Sequence, residues 1–256
     1  MSLAQILVLG LIQGATEFLP ISSTAHLILL PWFFKFPDPG LIFDISLHLG
    51  TLLAVIFFFR KEWWNLIKNL KKNNLVVLLV FATIPGVILA VLFESWAETG
   101  LRSPFLIALS LVVFGIILWL VDTRVKHLND LNHLNKSQAF FIGLWQALAI
   151  VPGVSRSGAT ISGGLLIGLK REAAVKFSFL LSAPIITGSV MVGLFKMVEN
   201  GKWRMESGEL ILGTLTSFIA GMLAIKFLLK FIQTRSFLPF VAYRILLAVL
   251  ILASIV

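Results

Sequence analysis

The sequence has no cysteine and few charges. Without a thiol it can form no disulfide, no thiolate metal site and no cysteine nucleophile. Charged residues fill only 13% of its 256 positions, against roughly 25% in a soluble domain. Polar stretches are scarce as well, and Asp122 to Ser137 is the only sizeable linker between apolar runs. A basic leader is missing: the apolar start carries Gln5, Gln13 and Glu17 and has no basic n-region, so no cleavable signal peptide is expected. What fills the chain instead is hydrophobic, at 58% of residues and a mean hydropathy of +0.98. The expected class is a polytopic α-helical membrane protein. The net charge of +9 comes from basic residues in short loops between apolar runs. That pattern sets membrane topology and excludes nucleic acid as the expected partner.

Taken in order, residues 3–34 form two short apolar runs around the break Pro20 to His26. Three full spans follow at about 42–59, 75–93 and 104–121. After the linker 122–137, residues 139–169 again form two short runs around a break, followed by spans at about 173–196, 210–229 and 237–256. The halves 1–121 and 138–256 resemble each other. Gln13 matches Gln146 and Ser22-Ser23-Thr24 matches Ser155-Arg156-Ser157, both at an offset of 133. Runs of 12 or 13 residues rise only about 18–20 Å, short of the roughly 30 Å hydrocarbon core. Each short pair is therefore expected to be a re-entrant hairpin. With three crossings per half, the two halves form an inverted-topology repeat.

Charge counting agrees with that layout. Twelve basic residues fall on the side of the loop Arg60 to Asn74, which is then cytoplasmic. Five fall on the other: Lys35, Arg102, Lys196, Lys202 and Arg204. Trp32, Trp63, Trp64, Trp96 and Trp203 fall at expected interfaces.

The second break, Pro152-Gly153-Val154-Ser155-Arg156-Ser157-Gly158-Ala159-Thr160, places an arginine at membrane depth. That costs about 2.5–3.5 kcal/mol on insertion scales. Ser155, Ser157 and Thr160 offer hydroxyls, Gly153 allows close backbone approach, and a helix N-terminus follows. Together they describe an oxyanion cradle suited to phosphate. The first break complements it. Gln13 and Glu17 share one helix face, and Ser22, Ser23, Thr24 and His26 follow. An intramembrane carboxylate needs a partner, and Arg156 or a divalent cation is the obvious one.

Gln13-x-x-x-Glu17, Phe18-Leu19-Pro20-x-Ser22-Ser23-Thr24-x-His26 and Pro152-Gly153-x-Ser155-Arg156-Ser157-x-x-Thr160 resemble the undecaprenyl-diphosphate phosphatase, or bacitracin-resistance, membrane family. The resemblance runs over essentially the whole chain. It implies an enzyme of the bacterial inner membrane, its site opening outward, that removes the terminal phosphate of a C55 lipid diphosphate and so recycles the carrier for cell-wall polymers. Implied partners are that polyprenyl diphosphate and the membrane lipids, with room for a homodimer. Implied cofactors are Mg²⁺ or Ca²⁺, held by Glu17 and, more weakly, Gln13. Gln13 falls on the family's glutamine-or-glutamate position, so a strict two-carboxylate mechanism is not implied, and His48 departs from the pattern, standing where glutamine is expected.

On this reading Arg156, Ser155, Ser157, Thr160 and loop amides bind the diphosphate. Gln13, Ser22, Thr24 and Gly153 complete the binding surface. Ser23 attacks the outer phosphorus, and His26 acts as general base or acid. Direct attack by water, with Ser23 only binding, is left open. The rival class is a transporter or flippase of an anionic lipid or phosphate ligand, because inverted repeats with broken helices also build those.

Overall fold

In an apolar medium every backbone N–H and C=O must be paired internally, and a chain with this hydropathy has the helix as its local solution. A computed structural model describes residues 1–69, 74–200 and 207–255. They form eleven α-helices: α1 (Leu3–Phe18), α2 (Ser23–Phe34), α3 (Leu41–Phe58), α4 (Arg60–Lys68), α5 (Asn74–Thr99), α6 (Pro104–Arg124), α7 (Lys136–Ala147), α8 (Arg156–Leu166), α9 (Arg171–Asn200), α10 (Ser207–Phe231) and α11 (Leu238–Ile255). Six of the helices among the described residues, α3, α5, α6, α9, α10 and α11, are long and apolar enough to cross a membrane. The protein is an all-α polytopic membrane protein.

The short helices pair where the sequence breaks. Serine begins both α2 and α8. The Ser22 hydroxyl accepts from the amide of Ala25, and the Ser155 hydroxyl from that of Gly158 at 3.2 Å. Both serines hold positive φ, 72° and 71°, which turns the chain sharply into each helix. The first break is thus only Leu19–Ser22, and Ser23, Thr24 and His26 lie on the first turn of α2. A capping serine recruits them into the helix, where composition alone suggested a longer loop.

Helix α4 was not expected. Its nine residues read as part of a basic loop, but Trp63 and Leu66 lie on its inner face, Leu66 fully covered. Trp64 is 58% exposed and Trp32 40%. The side chain of Trp96 and all of Trp203 lie outside the described residues, as do Lys71, Lys72, Lys202 and Arg204 of the charge count.

Packing runs across the halves. α1 lies along α10 and α7 along α5. α3 meets both α9 and α10, and α6 pairs with α11. Small residues permit these crossings: a side chain at Gly143 would strike the Ala82 backbone, and one at Gly10 would strike Thr216. Hydroxyls reinforce them, Ser217 donating to the Leu47 carbonyl at 2.8 Å and Thr214 to that of Ser46 at 2.9 Å. At one end Asp122 ties three helices, receiving the Arg171 guanidinium at 2.5 Å and the Phe237 amide at 3.1 Å. The linker is also held: Asn129 bridges to Leu169, and the Leu128 and Asn129 amides both donate to the Gly168 carbonyl. The outward faces keep large apolar side chains exposed, among them Val91, Leu92 and Leu246, as a lipid-facing surface requires.

Candidate active site

Each break exposes backbone amides that its helix cannot use. The first three amides of α2 and of α8 have no intrahelical acceptor, and the serine caps satisfy only the third. The amides of Ser23 and Thr24 and those of Arg156 and Ser157 are left as two pairs of donors at positive helix ends. The breaks meet, because Ser157 donates from its hydroxyl to the Leu19 carbonyl at 3.0 Å.

Glu17 sits where they join. Its Oε1 accepts from Arg156 at 2.7 Å, and its Oε2 accepts from the Ser23 hydroxyl at 2.7 Å and from Gln13 Nε2 at 3.1 Å. Side-chain exposure is 7% for Glu17 and 13% for Arg156. Breaking such a pair strands a buried charge, at about 3–5 kcal/mol. A second guanidinium nitrogen of Arg156 donates to the Ser178 carbonyl at 3.2 Å, which fixes the plane of the fork.

These groups border a cavity of about 190 Å³ lined by Glu17, Ser22, Ser23, Thr24, Ser155 and Arg156, together with His48, Gly86, Gln146 and apolar residues of α5 and α9. A second hollow of about 280 Å³ shares Thr24, His48 and Ser189 with it and runs to Asp38, Pro39 and Arg102.

Not every residue singled out in the sequence reaches the cavity. His26 turns away. Its Nδ1 lies 2.7 Å from the Ser22 carbonyl, which can only accept, so Nδ1 carries the proton. In the neutral ring Nε2 then accepts from the Tyr243 hydroxyl at 2.6 Å. The group that touches Ser23 is Glu17, in the place expected of His26. Thr160 and Ser157 lie within α8 and do not line the cavity. Thr160 bonds the Arg156 carbonyl at 2.9 Å and the Ser178 hydroxyl at 2.6 Å. Since Ser157 donates to Leu19, the 3.1 Å bond to Ser155 must use the Ser155 proton, so neither hydroxyl proton is free. Gly153 is structural. It holds φ +93°, and a Cβ there would lie 2.6 Å from the Ile107 carbonyl. Gln13 is fully buried beside Glu17 and orients it.

Three residues here escaped the sequence reading as site residues. Gln146 lines the cavity and was visible only as the repeat partner of Gln13. Its buried Oε1 has no partner, and Gly86 leaves room for it: a Cβ there would be 3.1 Å from Gln146 Nε2. Tyr243 and Arg244 sit in α11, and an arginine inside an apolar span was itself the signal that could have found them.

Among the described residues no three acidic or histidine side chains converge on a metal position. The donor set nevertheless suits a hard cation in part. The Glu17 carboxylate and the buried, unpartnered Oε1 of Gln13 are adjacent oxygen donors, and Mg²⁺ often takes one carboxylate and draws its other ligands from substrate phosphates and water.

The family model described as bacitracin resistance protein BacA matches residues 6–250. The chain belongs to this family. Among curated members, an undecaprenyl-diphosphatase of Moorella thermoacetica is 48% identical over 259 residues, covering 99% of this chain and 98% of that protein. One from Pelotomaculum thermopropionicum is 45% identical with the same coverage, and one from Elusimicrobium minutum is 47% identical over 96% of this chain and 95% of its own. The BacA match takes in both breaks and all the residues around Glu17.

Proposed function

We propose that the protein is an integral membrane phosphatase that hydrolyses undecaprenyl diphosphate to undecaprenyl phosphate and inorganic phosphate. It thereby recycles a lipid carrier for cell-wall synthesis and confers bacitracin resistance. The observation that carries this reading is the run of contacts Ser23–Glu17–Arg156, at 2.7 Å each, between two helix starts. It joins a nucleophile, a proton acceptor and a phosphate-binding cation.

The diphosphate lies against the free amides of α2 and α8, with the unused N–H groups of Arg156 on its oxygens. Ser23 Oγ attacks the outer phosphorus and passes its proton to Glu17 Oε2. The bond from that phosphorus to the bridging oxygen breaks, and undecaprenyl phosphate leaves. Water then attacks the phosphoserine, giving inorganic phosphate and restoring the Ser23 hydroxyl. The amides and Arg156 stabilise the charge spread over the transferring group in both steps. Glu17 and Gln13 are the oxygen donors that would hold Mg²⁺ or Ca²⁺. When bound, such an ion neutralises phosphate charge.

The two halves form an inverted repeat whose short helices, α1–α2 and α7–α8, are re-entrant. Matching serine caps, and the parallel packing of α1 on α10 and of α7 on α5, support this. In the bacterial inner membrane the basic loop after α3 lies inside, so the hollow at Asp38, Pro39 and Arg102 opens the site outward. A homodimer belongs to the same reading, with the residues that line the cavity repeated in each copy.

The test is phosphate release from undecaprenyl diphosphate by purified protein in detergent, with no gradient, with and without EDTA. Release that EDTA suppresses supports the phosphatase and its cation. Equal release in EDTA removes the cation alone. No release, with lipid crossing sealed vesicles, makes the protein a transporter or flippase.

A further inference from the structure

Among the described residues Arg244 is the largest fully buried side chain, at 0% exposure, and it stands in the middle of α11. Among the described residues no carboxylate pairs with it. All its bonds go to backbone carbonyls. Nε donates to Leu111 at 3.0 Å, one terminal nitrogen to Pro20 at 3.3 Å, and the other to Gly153 at 2.8 Å, Val154 at 3.0 Å and Ser110 at 3.4 Å. Leu111 and Ser110 belong to α6. The remaining three carbonyls lie in the two breaks, where no helix supplies a partner. Pro20 is two residues before the capping Ser22, and Val154 immediately precedes the capping Ser155.

We propose that Arg244 is a positioning residue for catalysis. Its planar fork holds both breaks from beneath and so sets Ser23 and Arg156 at their working separation. A guanidinium meets the need because its five N–H groups point outward in one rigid plane and can serve carbonyls from three segments at once. A lysine ammonium offers three donors from one point and cannot span them. The two serines occupy a backbone region that side chains disfavour, so each break stays bent only while its surroundings hold it. Neighbouring Tyr243 adds a second tie from α11 to α2 through His26. Arg244 touches neither substrate nor Ser23; it acts through the carbonyls.

This inference rests on the phosphatase reading, and the experiment separates the two. Full-length wild type, Arg244→Lys and Arg244→Met are purified in detergent and checked for a single elution peak and for Tm. kcat and KM for undecaprenyl diphosphate are then measured per folded molecule. Wild type that releases no phosphate sinks the phosphatase reading itself. With an active wild type, folded Arg244→Lys is expected to lose kcat by at least about tenfold with KM within about threefold. Arg244→Met is expected to lose at least as much. A folded variant with wild-type kcat and only a lower Tm makes Arg244 a stability element and overturns the proposal. Gly115 supplies an arm in which Arg244 stays in place. A Cβ there would lie 3.6 Å from Arg244 Nε, so alanine fits and valine presses on the guanidinium. Gly115→Val is expected to lower kcat and Gly115→Ala to leave it unchanged. Equal kcat in both overturns the proposal even where the position-244 variants do not fold.

Discussion

Ser22 and Ser155, 133 residues apart, hold nearly one backbone conformation, φ 72° ψ 92° and φ 71° ψ 113°, and each caps the helix it begins. Both use the side chain to hold the third amide of the following turn, which leaves the first two amides without an intrahelical acceptor. A serine at positive φ is strained, so the cap must offset the bend it permits.

That geometry makes alanine and glycine distinguishable at position 155. Ser155→Ala removes the cap and keeps the disfavoured φ, a loss of about 1–2 kcal/mol. Ser155→Gly removes the cap but relieves the backbone, a loss of a few tenths of a kcal/mol. Thermal unfolding in detergent should rank wild type and Ser155→Gly above Ser155→Ala. Equal Tm for alanine and wild type would show that the break is held without the cap.

Arg156 uses one nitrogen on Glu17 and another on the Ser178 carbonyl. Lysine keeps the charge but cannot serve both and still present a fork to phosphate. Arg156→Lys should lower kcat/KM at least about tenfold, or ~1.4 kcal/mol in the barrier, while the protein stays folded. Unchanged kcat/KM would assign the arginine to structure.

Ser23 and His26 are predicted to part company. Ser23→Ala should lose nearly all turnover and still bind the lipid diphosphate. Ser22→Ala should cost roughly 1–2 kcal/mol, as a lost cap. His26 lies between the Ser22 carbonyl and Tyr243, so His26→Gln should keep the wild-type pH dependence of kcat near the ordinary imidazole range of about 6.5. Loss of a step there in His26→Gln would return the proton transfer to histidine. Substantial turnover in Ser23→Ala would favour direct attack by water.

The order of polar residues was legible because charges inside apolar runs are few and each demands a reason. Glu17 and Arg156 stood out for that, and their ion pair across the two breaks follows from their being each other's nearest means of compensation. Direction was not legible. The spacing of Ser23 and His26 places both on one turn of α2, yet the Ser22 carbonyl and Tyr243, from the far end of the chain, take the ring away from Ser23. Thr160 and Ser157 looked like phosphate ligands by type, but in a helix starting at Arg156 their hydroxyls are taken by Ser178 and by the Leu19 carbonyl. The nine residues of α4 were hidden among basic positions, since its apolar face is set by Trp63 and Leu66 alone.

Topology offers a check independent of activity. The chain has no cysteine, so single cysteines report cleanly. Ser2→Cys and Ser103→Cys should label from outside intact cells, and Asn132→Cys only after permeabilisation. Opposite-side labelling of Ser2→Cys and Ser103→Cys would contradict the re-entrant arrangement.

The central claim is hydrolysis at the outer phosphorus by the Ser23–Glu17–Arg156 site. Turnover of undecaprenyl diphosphate in water enriched in oxygen-18, followed by mass spectrometry of both products, reads it directly. The account predicts a single labelled oxygen in the inorganic phosphate and none in undecaprenyl phosphate, with no labelled phosphate formed by Ser23→Ala. Label in the lipid phosphate, or no inorganic phosphate from a folded wild type, would contradict it.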